Sequence, residues 1–214
     1  MEANFWLERW QRNEIGFHEA KVHPLLREHW STVTTLHVDQ PHSVFVPLCG
    51  KSLDMIWLIE QGLYVYGVEL SPVGVEAFFH ENEISFEKSM AGELQQYTSE
   101  RATIFAGDIF SLTSDLIPDV GLFYDRAALV ALPDALRAEY VAKVISLLAS
   151  GAQGLLVSLE YAAGLVNPPP HSLTLESVAA SYGIHCECDL LESGPGDVKG
   201  KPCIEHAVHL RVKQ

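Results

Sequence analysis

Glu69 stands 19 residues beyond Gly50, and this pairing is the strongest chemical signal in the sequence. At that spacing a βαβ unit carries an acid to the ribose hydroxyls of a bound nucleotide, with the glycine turn facing the ligand. Glycine lets the backbone turn sharply and lets a ligand approach without meeting a Cβ. The dinucleotide pattern G-x-G-x-x-G is absent, because the turn holds Gly50 followed by Lys51. An adenosine ligand without phosphates fits such a turn better than NAD does. A core strand with a glycine turn and a surface glutamate would share the spacing, so the motif needs support from other strand ends.

The elements that must position these residues are legible around them. Val44 to Val46 reads as a buried strand leading into Pro47-Leu48-Cys49-Gly50-Lys51-Ser52. Ser52 is placed to cap a helix bearing Met55, Ile56, Leu58 and Ile59, with Gly62 as its stop. Tyr64 to Val68 reads as the next strand, and Ser71-Pro72 as a helix start, a cap followed by a residue suited to the first turn. Further strands are expected at about 102–106, 120–124 and 152–159, with helices near 134–149 and 174–182. Two terminal strands, about 184–191 and 203–212, have no helix between them and imply an edge hairpin. Residues 83–100 are polar and weakly patterned, with at most a short strand near 95–98. Ahead of the sheet, helices at 4–13 and about 24–30 must act as a cover.

Alternating strands and helices predict an α/β fold: a Rossmann-like, mostly parallel sheet of seven strands, helices on both faces and an antiparallel edge hairpin. The expected organisation is one domain over 1–214, with 1–40 a helical cover over the ligand cleft. Ligands of such sheets sit outside the carboxyl ends of the strands. Those ends carry Leu48-Cys49-Gly50, Glu69, Asp108-Ile109 and Asp125-Arg126, so four strand ends converge on one crevice.

Composition narrows the partners. The net charge of −14 disfavours nucleic acid and anionic membranes, which attract basic surfaces. No apolar run approaches the ~18 residues of a membrane span, and the N-terminus has no signal-peptide pattern. Four cysteines form no disulfide framework in a chain of 214 residues, so a cytoplasmic location is expected. His185, Cys186, Cys188, Cys203 and His206 contain soft metal ligands, but their spacing matches no paired zinc motif, and no metal is expected.

The strand ends together resemble the thiopurine S-methyltransferase family, a branch of the class I S-adenosylmethionine-dependent methyltransferases. The segments carrying the resemblance are Trp6-x-x-x-Trp10, Phe17-His18, Pro47 to Ser52, Gly67 to Ser71, Gly107 to Phe110 and Asp125 to Pro133. They span roughly residues 4 to 161, and the PLCGKS and DRAALVALP segments are the most specific. The resemblance implies that Trp10, Leu48, Glu69, Asp108, Ile109 and Arg126 line the S-adenosylmethionine site and that Phe17 faces the acceptor. Glu69 would accept the ribose hydroxyls, Asp108 and Ile109 would frame the adenine, and Trp10 would close over the cofactor. Arg126 would hold the cofactor carboxylate or stabilise an anionic acceptor; an ion pair with Asp125 or another acid is its simpler role.

The implied reaction is in-line methyl transfer to a thiol or thiopurine acceptor, extending to selenium or tellurium compounds, by a monomer. No catalytic residue is assigned, since a low-pKa thiol is largely ionised near neutral pH. His18, a possible base, is more simply structural. The chain departs from the family at Pro168-Pro169-Pro170-His171-Ser172-Leu173, where Gly-Pro-Pro-Phe-Ser-Val is usual; if this loop covers the acceptor, His171 makes the pocket more polar. The last ~40 residues match poorly beyond their strand pattern. The competing readings are a nucleotide-dependent oxidoreductase and a non-catalytic adenosine-binding protein on the same fold.

Overall fold

A computed structural model describes residues 3–34 and 43–213. Residues 1–2 and 35–40 of the expected N-terminal cover lie outside that description. Helices α1 (Ala3–Gln11) and α2 (Pro24–Thr34) precede the sheet. Then come β1 (Ser43–Pro47), α3 (Leu53–Glu60), β2 (Tyr64–Glu69), α4 (Pro72–Glu81), β3 (Glu87–Ala91), β4 (Leu94–Thr98) and β5 (Ala102–Ala106). The chain continues through β6 (Leu122–Arg126), α5 (Asp134–Ser146), β7 (Gln153–Glu160), α6 (Leu175–Tyr182), β8 (Cys186–Val198) and β9 (Lys201–Val212).

The strands form one sheet in the order β3-β4-β5-β2-β1-β6-β7-β9-β8. Its middle, β5-β2-β1-β6-β7, is parallel, and both flanks are antiparallel. The sheet therefore has nine strands rather than the seven expected. The addition is the β3–β4 hairpin, which pairs Glu87–Ala91 with Leu94–Thr98 about Gly92. Its outer strand is almost wholly exposed, so it lacks the apolar alternation that reveals a strand in sequence. Strand β8 also runs on to Val198, well past the expected 191, because residues 192–197 pair with β9 as a ribbon without being buried. Its tip is a two-residue turn, Lys199-Gly200, with φ of 53° and 73°, the left-handed pair that a tight hairpin requires.

Alternate residues of each strand feed two cores. Val44, Val46, Leu122 and Tyr124 pack under α2, α3 and α4. Phe45, Phe123 and Leu156 pack on the other face with α5 and α6. This is the period of two expected of strands covered on both sides.

One buried acid ties the first of these layers together. Asp54 in α3 is 1% exposed and accepts 2.8 Å from the His23 backbone N–H and 3.1 Å from the Tyr124 hydroxyl. Ser52 caps the same helix by accepting from the Asp54 N–H at 3.2 Å. Asp54 thus anchors the start of α2, the start of α3 and the end of β6 at one point. Removing its carboxylate strands two buried donors, so Asp54→Ala should lower unfolding free energy by about 3 kcal/mol in urea titrations. Asp54→Asn, which keeps an acceptor oxygen, should lose less.

Candidate functional site

The strand order reverses direction between β1 and β6, and a cavity of about 550 Å³ lies at the carboxyl ends of the parallel strands there. That volume is within the roughly 300–1,000 Å³ usual for small-molecule sites. Trp10, Phe17, Leu48, Glu69, Asp108, Ile109 and Arg126 all line it, so every site residue expected from sequence meets in one place.

Glu69 ends β2 and is 6% exposed. Its Oε2 accepts the Gly50 N–H at 3.0 Å and its Oε1 accepts the Ser71 N–H at 2.9 Å. The Trp10 side chain donates a further bond to it. Burial nevertheless dominates and pushes its carboxyl above the ordinary value, the backbone bonds pulling it part of the way back. Among the described residues no cation forms an ion pair with it. The Ser71 hydroxyl makes no cap bond to α4, contrary to expectation; the Ser71 N–H turns to Glu69 instead. A carboxylate offers about four acceptor sites, so oxygens bonded to these N–H groups retain capacity for a ligand diol. The residues present therefore fit an adenosine ribose.

The turns flanking Glu69 are held in unusual geometry. Gly50 has φ of 54°, which its lack of a Cβ makes inexpensive. Leu48 at φ 45° and Ala127 at φ 62° adopt the same left-handed region with side chains, at a cost of roughly 1 kcal/mol or more each. Both sit at strand ends facing the cavity. Asp125 stabilises the second turn from beneath. It is fully buried and accepts from the hydroxyls of Tyr140 at 2.8 Å and Tyr182 at 2.7 Å and from the Leu129 N–H at 3.1 Å. Burial raises its carboxyl despite those bonds. Asp125 is thus engaged elsewhere, and Arg126 pairs with Glu19 at 3.6 Å. Glu19 is 60% exposed, so this ion pair contributes at most about 1 kcal/mol and leaves the guanidinium usable by a ligand.

Trp10 is packed more tightly than a simple cover. Its indole lies where a Cβ on Gly74 would approach to 2.7 Å, and it meets Phe17 edge-on at 5.5 Å. Asp108 is exposed and caps the short turn after β5, accepting the Phe110 N–H at 3.0 Å, while Ile109 is 5% exposed. His18 lies beside Gly50 and Arg126 in a small annex of about 30 Å³, its pKa lowered first by burial and then by Lys51.

Sequence reasoning missed most of the opposite wall. Ser158, Val198, Lys199 and Glu205 line the cavity from β7 and the β8–β9 hairpin, beside Pro169 of the proline loop noted above. The turn-forming Lys199-Gly200 was the available signal for that hairpin. His171, by contrast, does not line the cavity, and its backbone N–H donates 2.6 Å to the Val130 carbonyl. The more polar pocket expected from His171 is therefore corrected; Pro169 and Pro170 provide that wall. The soft-ligand residues also have other uses, His206 bonding Ser193 at 2.8 Å and Glu160 at 3.2 Å.

The family model for Thiopurine S-methyltransferase (TPMT) matches residues 1–208. A thiopurine S-methyltransferase of Shewanella sp. (strain MR-7) is 40% identical over 218 residues, covering 98% of both chains. The chain belongs to the thiopurine S-methyltransferase family. It is accordingly an S-adenosylmethionine-dependent methyltransferase. Another family member, from Pseudomonas fluorescens (strain SBW25), is 42% identical over 193 residues, 90% of this chain and 87% of that one.

Solved methyltransferases share the fold. An S-adenosylmethionine-dependent methyltransferase from Methanosarcina mazei superposes with a TM-score of 0.67 at 13% identity, over 90% of this chain and 99% of that one. The Burkholderia thailandensis 1,6-didemethyltoxoflavin-N1-methyltransferase, with bound 1,6-didemethyltoxoflavin and S-adenosylhomocysteine, gives 0.68 at 14% identity, covering 99% and 87%.

The close contact between Trp10 and Gly74 makes a direct test of how this thiopurine S-methyltransferase family member seats α1. Gly74→Ala should lift the indole, shifting tryptophan emission to the red as Trp10 gains water and lowering stability by about 1–3 kcal/mol. In a Trp10→Phe background the same substitution should leave the emission maximum unmoved.

Proposed function

We propose that the chain transfers a methyl group from S-adenosylmethionine to the sulfur of a small thiol or thiopurine, and to related selenium or tellurium compounds. The observation that carries the cofactor half of this reading is Glu69, a buried carboxylate held by backbone N–H groups beside a cavity of about 550 Å³. Such an acceptor, with no cation paired to it among the described residues, suits neutral hydroxyl donors. The acceptor class rests on the family's name and on the Val157, Leu159, Pro169 and Pro170 side chains of the opposite wall. In this reading residues 1–214 act as one cytoplasmic, monomeric domain, with 1–40 its cover, and neither nucleic acid nor a membrane is a partner. Among the described residues no helix is long and apolar enough to cross a membrane.

Bound S-adenosylmethionine supplies a methyl group activated by its sulfonium. Glu69 holds the ribose, Ile109 and Asp108 frame the adenine, and Leu48 with Gly50 brings backbone to the methionyl portion. Arg126 lies at the end of β6 beside that annex and takes the methionyl carboxylate. Trp10 and Phe17 exclude water from the reacting sulfur, Phe17 on the acceptor side. These residues orient two substrates for in-line attack, which is the main service a protein gives when the cofactor carries the reactive group. The arrangement gives no support to hydride transfer, since the single glycine turn offers no pyrophosphate cradle.

Isothermal titration with S-adenosylhomocysteine tests the ribose assignment. Glu69→Ala should weaken binding by about 2–3 kcal/mol through two lost bonds to a charged acceptor. Unchanged affinity would refute it. A methyl-transfer assay against aromatic thiols tests the acceptor assignment, and absence of any methylated product would favour a binding protein.

The raised Glu69 pKa sets a pH dependence. Ribose hydroxyls donate to the ionised carboxylate, so affinity should be flat at high pH and fall as pH drops through a value above 4.5. Glu69→Gln should abolish that limb in the same titration. For folding the sign is opposite: the folded state binds this proton more tightly than the unfolded chain. Its contribution to stability is therefore greatest at low pH and lost as pH rises through the folded value.

A further inference from the structure

The adenosine reading occupies the ends of β1, β2 and β5, and leaves the half of the cavity beneath β7 and β9 without a chemical role. That half contains an acid with a histidine behind it. Glu205 of β9 and His23, just before α2, both line the cavity, and His23 Nε2 lies 3.5 Å from Glu205 Oε1. His23 is 7% exposed and fixed through its backbone N–H to Asp54 Oδ1. The fold also makes room for the acid: a Cβ on Gly196, across the hairpin, would lie 2.5 Å from Glu205 Cγ and 2.8 Å from its carboxyl carbon.

The buried Nδ1 of His23 has no hydrogen-bond partner. Buried polar atoms are normally satisfied, and leaving one unpaired costs about 1–3 kcal/mol. An unpaired ring nitrogen beside a carboxylate, on a wall that Val157, Leu159 and Val198 share with Asp197 and Lys199, describes a site for a ring with polar edge atoms.

We infer that Glu205, backed by His23, accepts the ring N–H of an aza-heteroaromatic thione and takes its proton as the sulfur is methylated. The inference rests on the S-methyl transfer proposed above and assigns the residue that takes the acceptor's proton. In a neutral heterocyclic thione the exchangeable proton is on ring nitrogen, and sulfur alkylation makes that N–H strongly acidic. The thione sulfur uses an electron pair to form the new S–CH₃ bond. The methyl carbon's bond to the donor sulfur breaks, and its electron pair remains on that sulfur. The N–H bonding pair becomes part of a ring C=N bond, and the proton passes to the Glu205 carboxylate. Charge balances, since cationic donor and anionic carboxylate both end neutral. Glu205 is then a catalytic residue and His23 a positioning residue that holds its carboxylate. The methylated product has lost the N–H, and with it the bond that retained it.

The experiment compares two acceptors with the full chain: mercaptopyrimidine, which carries the ring N–H, and nitrothiophenol, which has no ring nitrogen. Glu205→Gln should lower the ratio of kcat/KM for mercaptopyrimidine over nitrothiophenol by about tenfold or more, within what loss of a general base produces. Calorimetry in the presence of S-adenosylhomocysteine should show weaker mercaptopyrimidine binding to the variant. His23→Gln should move the same ratio in the same direction by less, and it supplies the measurement should Glu205→Gln fail to fold. An unchanged ratio, or an equal loss on both acceptors, overturns the inference while leaving S-methylation standing. Failure of the wild-type protein to methylate either acceptor overturns the S-methylation reading, and this inference with it.

Discussion

The site depends on keeping one carboxylate, that of Glu69, out of water without a counter-ion among the described residues. Burial alone would drive it to the neutral form, which could not accept two hydroxyls equally. The fold offsets this with the N–H of Gly50 from the turn after β1 and the N–H of Ser71 at the start of α4. The positive end of α4 reinforces the second bond. Two turns and a helix start must therefore hold register with one another, and the parallel pairing of β1 with β2, Pro47 opposite Val68, provides that register.

The same constraint explains strain at the strand ends. Leu48 and Ala127 adopt left-handed backbone on either side of the point where the strand order reverses. A local interaction would not hold them there. Asp125, gripping two tyrosine hydroxyls and a backbone N–H, and Asp54, joining α2, α3 and β6, supply buried polar anchors directly behind the two turns. Such networks are costly when incomplete and rigid when satisfied, which suits a surface that must be preorganised.

Around this rigid floor the walls come from peripheral elements. Helix α1 rests its Trp10 on α4 through the space left by Gly74, and the β8–β9 ribbon brings Val198 and Lys199 to the rim. Lys199 is tied to the proline loop by donating 2.7 Å to the Asn167 carbonyl. This side of the cavity thus draws on peripheral segments, while the side around Glu69 is built from the core.

The parallel strands, the capped helix after Ser52, the reach from Gly50 to Glu69 and the convergence of Asp108, Ile109 and Arg126 were determined by the sequence itself. They depend on short-range chemistry: apolar runs bounded by glycine, caps and turn residues, repeated at fixed spacing. Tertiary structure decided the rest. Strand β3 and the outer part of β8, residues 192–198, are held by backbone pairing to neighbours and carry no clear apolar alternation, so no strand was expected there. The partners of Arg126 and Asp125, the exclusion of His171 from the cavity lining and the meeting of His23 with Glu205 across 182 positions depend on which elements pack together. Contacts between distant segments leave no periodic trace along a chain, and only the closed sheet brings them within hydrogen-bonding reach.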